Sequence, residues 1–370
     1  MRTGIRQSSR SSSRRWIRWR LFVDYSTENK TAYANANLTY AIDVVYAICC
    51  LAGSASYLDD IRADLRDRGV VRAVRDHNTP ALFDWLIEVL SFQGISDSVA
   101  SGYIARHGSV RCADISEALS RKPSCPKLGG YWRFFDCRYQ KGTHKCSEPG
   151  HIDACPLPRH PLRNGRLNQT AYSLFLFMRD VADDDFVGWI DRQLDGVGSN
   201  SSDRLADLRE AVIGPLRNVY GVADKVLAMA LSFLLLAAGK RRPLWLEAGA
   251  TFVAIDTLVH NFLHRTGILR RLSADHLYGL GCYRPGGCAD ILGLLAAHID
   301  ARQFNPAFPA TFPRFVQSAI WRYGAENGLD VCNGNRINDI SRCDNMHCQL
   351  FLRCDRIALR AESKKIAVFQ

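Results

Sequence analysis

No apolar run in this chain is long enough to cross a bilayer. The longest, Val226 to Ala238, has thirteen residues, against about 20 for a spanning helix, so no membrane segment is expected. The N-terminus carries arginines but lacks the apolar stretch and small-residue cleavage pattern of a secretory signal. An intracellular protein is therefore expected. Period-two alternation, the signature of half-buried strands, is nearly missing, which points to an almost entirely helical fold. No internal repeat is found.

What the chain does have is unevenly placed charge. Of its 370 residues, 47% are hydrophobic and 23% charged, the balance of a soluble globular protein with one or two domains. The formal net charge is +11. Residues 1–20 hold seven arginines and no acid, and residues 121–166 hold ten Lys or Arg against three Asp or Glu. A polyanion would then meet a tail and an insert, not the body. The tail reads equally well as a flexible solubilising segment. The basic charge of the insert is interleaved with Tyr131, Trp132, Phe134 and Phe135, which suits nucleic acid better.

The thirteen cysteines are grouped. Cys332, Cys343, Cys348 and Cys354 are spaced C-x10-C-x4-C-x5-C with few core-forming neighbours, which reads as a metal site in an intracellular protein. Cys125, Cys137, Cys146 and Cys155 are spaced C-x11-C-x8-C-x8-C, with His144 and His151 as competing ligands and Cys112 as a substitute. A stretch so poor in core residues needs a cross-link, and zinc couples coordination to folding. Cys49 and Cys50 read as core residues, and Cys282 and Cys288 in GCYRPGGC are left unassigned.

Helical patterns run through YAIDVVYAICCLAG, YLDDIRADLRDRG and PALFDWLIEVLSFQG, where Pro80 suits a first turn. SDSVASGYIARHG follows as a short helix with Ser96 or Asp97 as cap. Residues 112–166 keep neither a helical nor a strand period. Helices resume at QTAYSLFLFMRDVADDDFVGWIDRQL and RLADLREAVIGPLRNV. The carboxylates of DVADDD could serve a metal-dependent nuclease but read more simply as a solvated helix face. In YGVADK, Gly221 turns the chain between two helices, where unsatisfied first-turn amides can hold a phosphate without reading a base. Asp224 opposes an anion there unless it serves as a cap.

Lys225 opens the apolar helix VLAMALSFLLLAA, so its amine is either a surface group or one aimed into a cleft. Asp256, in FVAIDTLVHNFLH, sits where a helix N-cap is expected. A desolvated lysine facing a carboxylate has the groups needed for imine chemistry at a sugar carbon. His260 and His264 share a helix face, but no Glu accompanies them as in zinc hydrolases, and they are set aside as ligands.

LIEVLSFQGISDSVASGYI, NVYGVADKVLAMAL and FVAIDTLVHNFLHRTG, in that order ahead of a cysteine group, resemble the helix-hairpin-helix DNA glycosylase superfamily, in particular its endonuclease III and 8-oxoguanine glycosylase branch. The resemblance covers roughly residues 80–110 and 205–355. It implies an all-α, two-lobed fold with the active site between the lobes and duplex DNA across it. The expected division is a basic flexible tail (1–20), N-terminal helices partly shared between lobes (21–111), a Cys/His-rich, metal-supported irregular insert without counterpart in the family (112–166), a lobe with the hairpin (167–260), second-lobe helices (261–331), a cysteine loop (332–355) and a C-terminal tail (356–370).

The implied activity is base-excision repair, in which a DNA glycosylase with AP lyase activity removes a damaged or modified base through a Schiff base. A monofunctional glycosylase whose Asp256 activates water, and a non-catalytic binder of a modified base, are the alternatives. Lys225 falls at the family's nucleophile and Asp256 at its catalytic aspartate. Gln93 falls at a glutamine that enters the duplex beside the flipped nucleotide. Gly221 and Ala223 fall in the phosphate-gripping turn, with Ala223 replacing the family's second glycine, and His260 falls in a helix whose polar residues touch the DNA backbone or pack behind the aspartate. Lys225 and Asp256 lie 31 residues apart, more than in compact members, and GKRRPLWLEAGA is expected to hold the extra length as an extended loop. The Cys332 to Cys354 group is expected to carry a [4Fe-4S] cluster, with zinc as alternative, and the insert zinc. The implied partner is double-stranded DNA with a damaged, modified or mismatched base, bound by a monomer in the cytoplasm or nucleoid.

Overall fold

Several helices begin where the sequence supplies a capping oxygen. Asn78 accepts from Ala81 N at 3.0 Å, Asp185 from Gly188 N at 2.9 Å, Asp203 from Ala206 N at 3.3 Å and Asp256 from Val259 N at 3.0 Å. Each satisfies an amide that the helix itself leaves without a partner. The computed structural model describes residues 36–359 except 94, 96, 122–124, 149, 151–154 and 200–202. The expected basic tail, the end of the C-terminal tail, His151 and the Ser96 cap lie outside the described residues.

The helices are α1 (Ala36–Ala52), α2 (Tyr57–Asp67), α3 (Val70–Arg75), α4 (Thr79–Leu90), α5 (Asp97–His107), α6 (Cys112–Ser120), α7 (Tyr131–Phe134) and α8 (Asn168–Asp180). They continue with α9 (Phe186–Asp195), α10 (Arg204–Leu216), α11 (Asp224–Ala237), α12 (Pro243–Thr251), α13 (Thr257–Arg265), α14 (Ile268–Arg271), α15 (Cys288–Ala297) and α16 (Pro313–Gly324). Among the described residues the one sheet is a two-stranded antiparallel hairpin in the insert, Tyr139–Gln140 against Lys145–Cys146. The all-helical expectation holds, and no single described helix is long and apolar enough to cross a membrane.

The N-terminal helices part company. α1 packs against α14, α15 and α16, whereas α4 packs against α6, α8, α9 and α11. One continuous apolar core nevertheless runs from Ala41 to Leu350 and takes in Leu128, Tyr131, Phe134 and Leu157 of the insert. α11 is the central element: Ala230, Leu231, Leu234, Leu235 and Leu236 have no exposed surface, because a helix apolar on every side has to be enclosed.

Three sequence expectations are corrected. The GKRRPLWLEAGA stretch is not an extended loop but mostly α12, which buries Trp245 and packs on α10 and α11. The insert is less irregular than expected, since Cys112–Ser120 forms a helix and the Cys137 to Cys146 stretch closes as a hairpin. The DVADDD carboxylates do not share a helix face: Asp180 ends α8, Asp183 and Asp184, both at φ 55°, form the turn, and Asp185 caps α9. Asp180 there accepts from Tyr131 N at 2.6 Å and so ties the insert to the body.

The α11–α12 crossing depends on Gly249. A Cβ there would stand 2.9 Å from Leu235 Cβ and 3.1 Å from Leu236 N. Gly249→Val is expected to destabilise the fold by about 1–3 kcal/mol, the range for overpacked cores. Gly293→Ala, in α15 with nothing within 4 Å of the added carbon, is expected to gain up to about 1 kcal/mol of helix propensity. Urea midpoints of the two variants check the contrast.

Candidate active site and metal centres

The hairpin is α10, a turn and α11. Gly221 takes φ +73°, where a side chain is strained, and a Cβ there would also press within 3.1 Å of Thr170 Oγ1. Gln93 clamps this turn: its Nε2 donates to Gly221 O at 2.6 Å and its Oε1 accepts from Ala223 N at 3.0 Å. Gln93, expected to enter a duplex, thus spends its amide on the hairpin, and the Ala223 N–H expected to grip phosphate is already taken. Ala223 is the N-cap of α11 and offers no side-chain cap; its carbonyl accepts from Val226 N and Leu227 N, both at 3.1 Å, which leaves the amides of Asp224 and Lys225 as the donors at the helix start. Arg217 offsets Asp224 only in part: its Nε donates to both carboxylate oxygens at 3.1 Å, but its Nη1 and Nη2 are bonded to Glu210, so one cation is shared between two carboxylates.

Lys225 stands in the first turn of α11, half-buried. Asp256 caps α13 after the extended, fully buried run Phe252 to Ile255. Burial raises the Asp256 carboxyl above the usual carboxylate range, against the opposing pull of the Val259 N–H and of the Lys225 charge. The two groups expected to act together therefore do feel each other across 31 residues of sequence. The segment before Asp256 is fixed by Tyr283, whose hydroxyl accepts from Ile255 N at 2.8 Å. Tyr278, 45% exposed, has its phenol pushed up by burial and then by the Asp256 charge. A cavity of about 40 Å³ among Arg217, Asp224, Val253, Tyr283 and Asp290 adjoins the starts of both chain segments, with room for water.

His260 requires a correction. It is 5% exposed and turned inward, so it does not present itself to a DNA backbone. Its ring lies 6.4 Å from that of His264, but the residues it joins are His276, Cys282 and Cys288. The four form a group that could hold a metal ion, their ligand atoms within 4.8 Å of one another. Sequence reading missed this group. The signal was H-x5-C-x5-C in HLYGLGCYRPGGC, where Pro-Gly-Gly folds the second cysteine back toward the first.

The two expected cysteine groups are each gathered, but more loosely; among the described residues the group at His260 is the set found at that tight spacing. Burial pushes the Cys332 thiol up to about 12, with Cys354, Cys348 and Cys343 adding to the rise and Arg265 opposing it. Arg265 is 1% exposed; its Nη2 pairs with the Asp339 carboxylate, while its Nε and Nη1 have no partner. A buried cation with idle donors beside four thiols fits a thiolate-bound, anionic centre. In the insert, burial raises Cys155 to about 11, with Cys146, Cys137 and Cys125 contributing. His144 joins no such group among the described residues, and the neighbours felt by Cys112 are Asp84 and Asp184 rather than the other four cysteines.

The aromatic set of the insert divides by helical spacing. Tyr131 and Phe134 are 2% exposed, while Trp132 and Phe135 are 63% and 50% exposed and stack with centroids 6.0 Å apart.

The raised carboxyl of Asp256 has a consequence for stability. The folded state binds that proton more tightly than the unfolded chain, so its contribution is full below the unfolded pKa and is lost as pH rises through the folded one. Asn keeps the cap without the buried charge. Asp256→Asn is therefore expected to be more stable than the wild type at pH 7, with the gap closing below about pH 4. Urea midpoints at the two pH values check it, and a less stable variant at pH 7 contradicts the burial argument.

No family model, curated protein or solved structure matches this chain.

Proposed function

We propose that this chain is a DNA glycosylase with associated lyase activity, acting on a damaged or modified base in duplex DNA on a two-lobed helix-hairpin-helix scaffold. The observation that carries the reading is that the Lys225 charge acts on Asp256 across the fold, without a direct ion pair between them. A half-buried carboxylate of raised basicity stands within electrostatic reach of an amine at the mouth of a helix. The clamped hairpin turn and the exposed Trp132 and Phe135 beside basic residues add support, the first as a phosphate site and the second as a stacking surface.

In this reading the target base leaves the stack, at lowest cost when it is mispaired or damaged. Asp256 accepts a proton from Lys225, and the neutral amine adds to the anomeric carbon while the bond to the base breaks. The base leaves with the bonding pair and is protonated. Opening of the sugar ring converts the adduct to a protonated imine. Loss of a proton from the neighbouring carbon then expels the 3′ phosphate, and water hydrolyses the imine to free Lys225. Asp256 also stabilises the positive charge that develops on the sugar.

The same reading places a [4Fe-4S] cluster on Cys332, Cys343, Cys348 and Cys354, and zinc on Cys125, Cys137, Cys146 and Cys155. Bound there, the cluster supplies structure, not reaction chemistry. It would accept from the idle donors of Arg265, whose remaining nitrogen already pairs with Asp339, and would hold the helix-free loop, whose Cys354 Sγ faces Arg265 O at 3.5 Å. Cys348→Ser is expected to lose the iron and the visible chromophore of the purified protein, as metal analysis and absorbance would show.

Borohydride trapping on duplexes with an abasic site or a panel of damaged bases tests the activity. A covalent adduct is expected with the wild type and none with Lys225→Ala. Asp256→Asn is expected to slow base release by about 10²- to 10⁴-fold. Tight DNA binding with neither adduct nor base release across the panel would make the chain a binder instead.

A further inference from the structure

The group at His260 has the dimensions of a closed, single-ion site. His260 Nδ1 stands 3.4 Å from Cys288 Sγ and 3.5 Å from Cys282 Sγ, and His276 Nε2 stands 3.3 Å from Cys288 Sγ. Zinc bonds of about 2.3 Å to sulfur and about 2.0 Å to nitrogen, at tetrahedral angles, set nitrogen and sulfur ligands about 3.5 Å apart. These three nitrogen–sulfur edges match that tetrahedron, and all four ligand atoms lie within 4.8 Å of one another. His276 Nδ1 lies 2.7 Å from Ala274 O, and because a carbonyl can only accept, this nitrogen carries the proton and Nε2 presents its lone pair to the thiols. Second-shell bonds of this kind orient histidines that bind metals.

The surrounding loop supplies an independent argument. Between His276 and Cys288, Leu277 and Leu280 are 90% and 81% exposed, so these apolar side chains do not anchor the loop in the core. What goes inward is Cys282 and Cys288, both without exposed surface, together with Tyr283. The turn between the cysteines is drawn tight, with a Cβ at Gly287 falling 2.2 Å from Gly281 O. A loop that turns its leucines out and its ligands in needs a cross-link for its shape.

We propose that His260, His276, Cys282 and Cys288 bind one structural zinc ion, and that this ion braces the start of α13 and so the position of Asp256. Four protein ligands around a buried centre leave no open position, which makes the ion structural rather than catalytic. The brace acts from two sides. His260 lies one turn into the helix that Asp256 caps, and Tyr283, adjacent to Cys282, holds Ile255 N just before it. The metal assignment stands apart from the glycosylase reading; only the value of fixing Asp256 rests on it.

Metal analysis of the full chain tests the assignment. Cys288→Ser is expected to lose one zinc equivalent per chain relative to the wild type with iron unchanged, and equal zinc in the two would overturn it. Should Cys288→Ser fail to accumulate, His276→Cys decides. It keeps four ligands and is expected to retain the zinc, and after cobalt exchange to show stronger sulfur-to-cobalt charge transfer than the wild type; an unchanged cobalt spectrum would overturn the site. Peptide-resolved hydrogen exchange tests the brace. Loss of zinc in Cys288→Ser is expected to speed exchange at residues 253–265 and 276–290 while residues 79–90 stay protected, and unchanged exchange at 253–265 would refute it. Base release is scored separately, so an inactive protein with its zinc in place counts against the glycosylase reading alone.

Discussion

The constraint on which this structure turns is the placement of one carboxylate at a helix start with little water around it. Asp256 must cap α13, because the amide of Val259 has no other acceptor within the helix, and that duty draws it inward. Desolvation then works against its ionisation while the cap hydrogen bond and Lys225 work for it, and desolvation wins. A surface aspartate would cap the helix as well but would be a weaker base. The same burial that makes the residue costly to ionise makes it suited to taking a proton from an amine.

The hairpin shows a related compromise. An unencumbered turn would offer more amides to a phosphate, but this one has alanine at 223 and a Gln93 side chain bonded across it. Clamping fixes the turn to the segment just after α4 and takes up the Ala223 N–H, a donor that the proposed phosphate contact would otherwise use. Arg217 restores part of the balance by neutralising Asp224 and spanning to Glu210 at 2.6 Å. The turn is thereby rigid before any ligand arrives, and a rigid donor set loses less entropy on binding than a mobile one.

How much of this was legible in the sequence depended on how local the signal was. The cap at Asp256, the first-turn Pro80 and the buried helix after Lys225 follow from residues within a few positions of one another. α12 was missed because Pro243 and the preceding basic cluster read as a break, whereas Trp245 and Gly249 give that segment a face to bury against α11. The meeting of Lys225 and Asp256 came from resemblance and not from pattern, since no local periodicity can state that two residues so far apart share a charge field. His260 was read from its own helix, where His264 is the visible neighbour, but its true companions come from a loop beyond the end of α14. The four aromatics of the insert could have been sorted in advance: on one helical turn, 131 and 134 share a face that 132 does not.

The cysteine groups share a physical logic. Each lies where helical packing gives out: in the insert, in the loop before α15, and in the helix-free stretch after α16. The insert still sends Leu128, Tyr131, Phe134 and Leu157 into the core, but the other two segments turn large apolar groups toward water at Leu277, Leu280 and Leu352 and have less burial to offset the entropy of ordering them. A cluster of coordinating side chains can order such a segment through a few strong bonds, and it leaves the outward side chains free for contact with something else. The loop ordered by His276, Cys282 and Cys288 is also the one that reaches Ile255. Local order in a segment with almost no core of its own is thereby transmitted, through one hydroxyl and one ring, to the carboxylate on which the proposed chemistry depends.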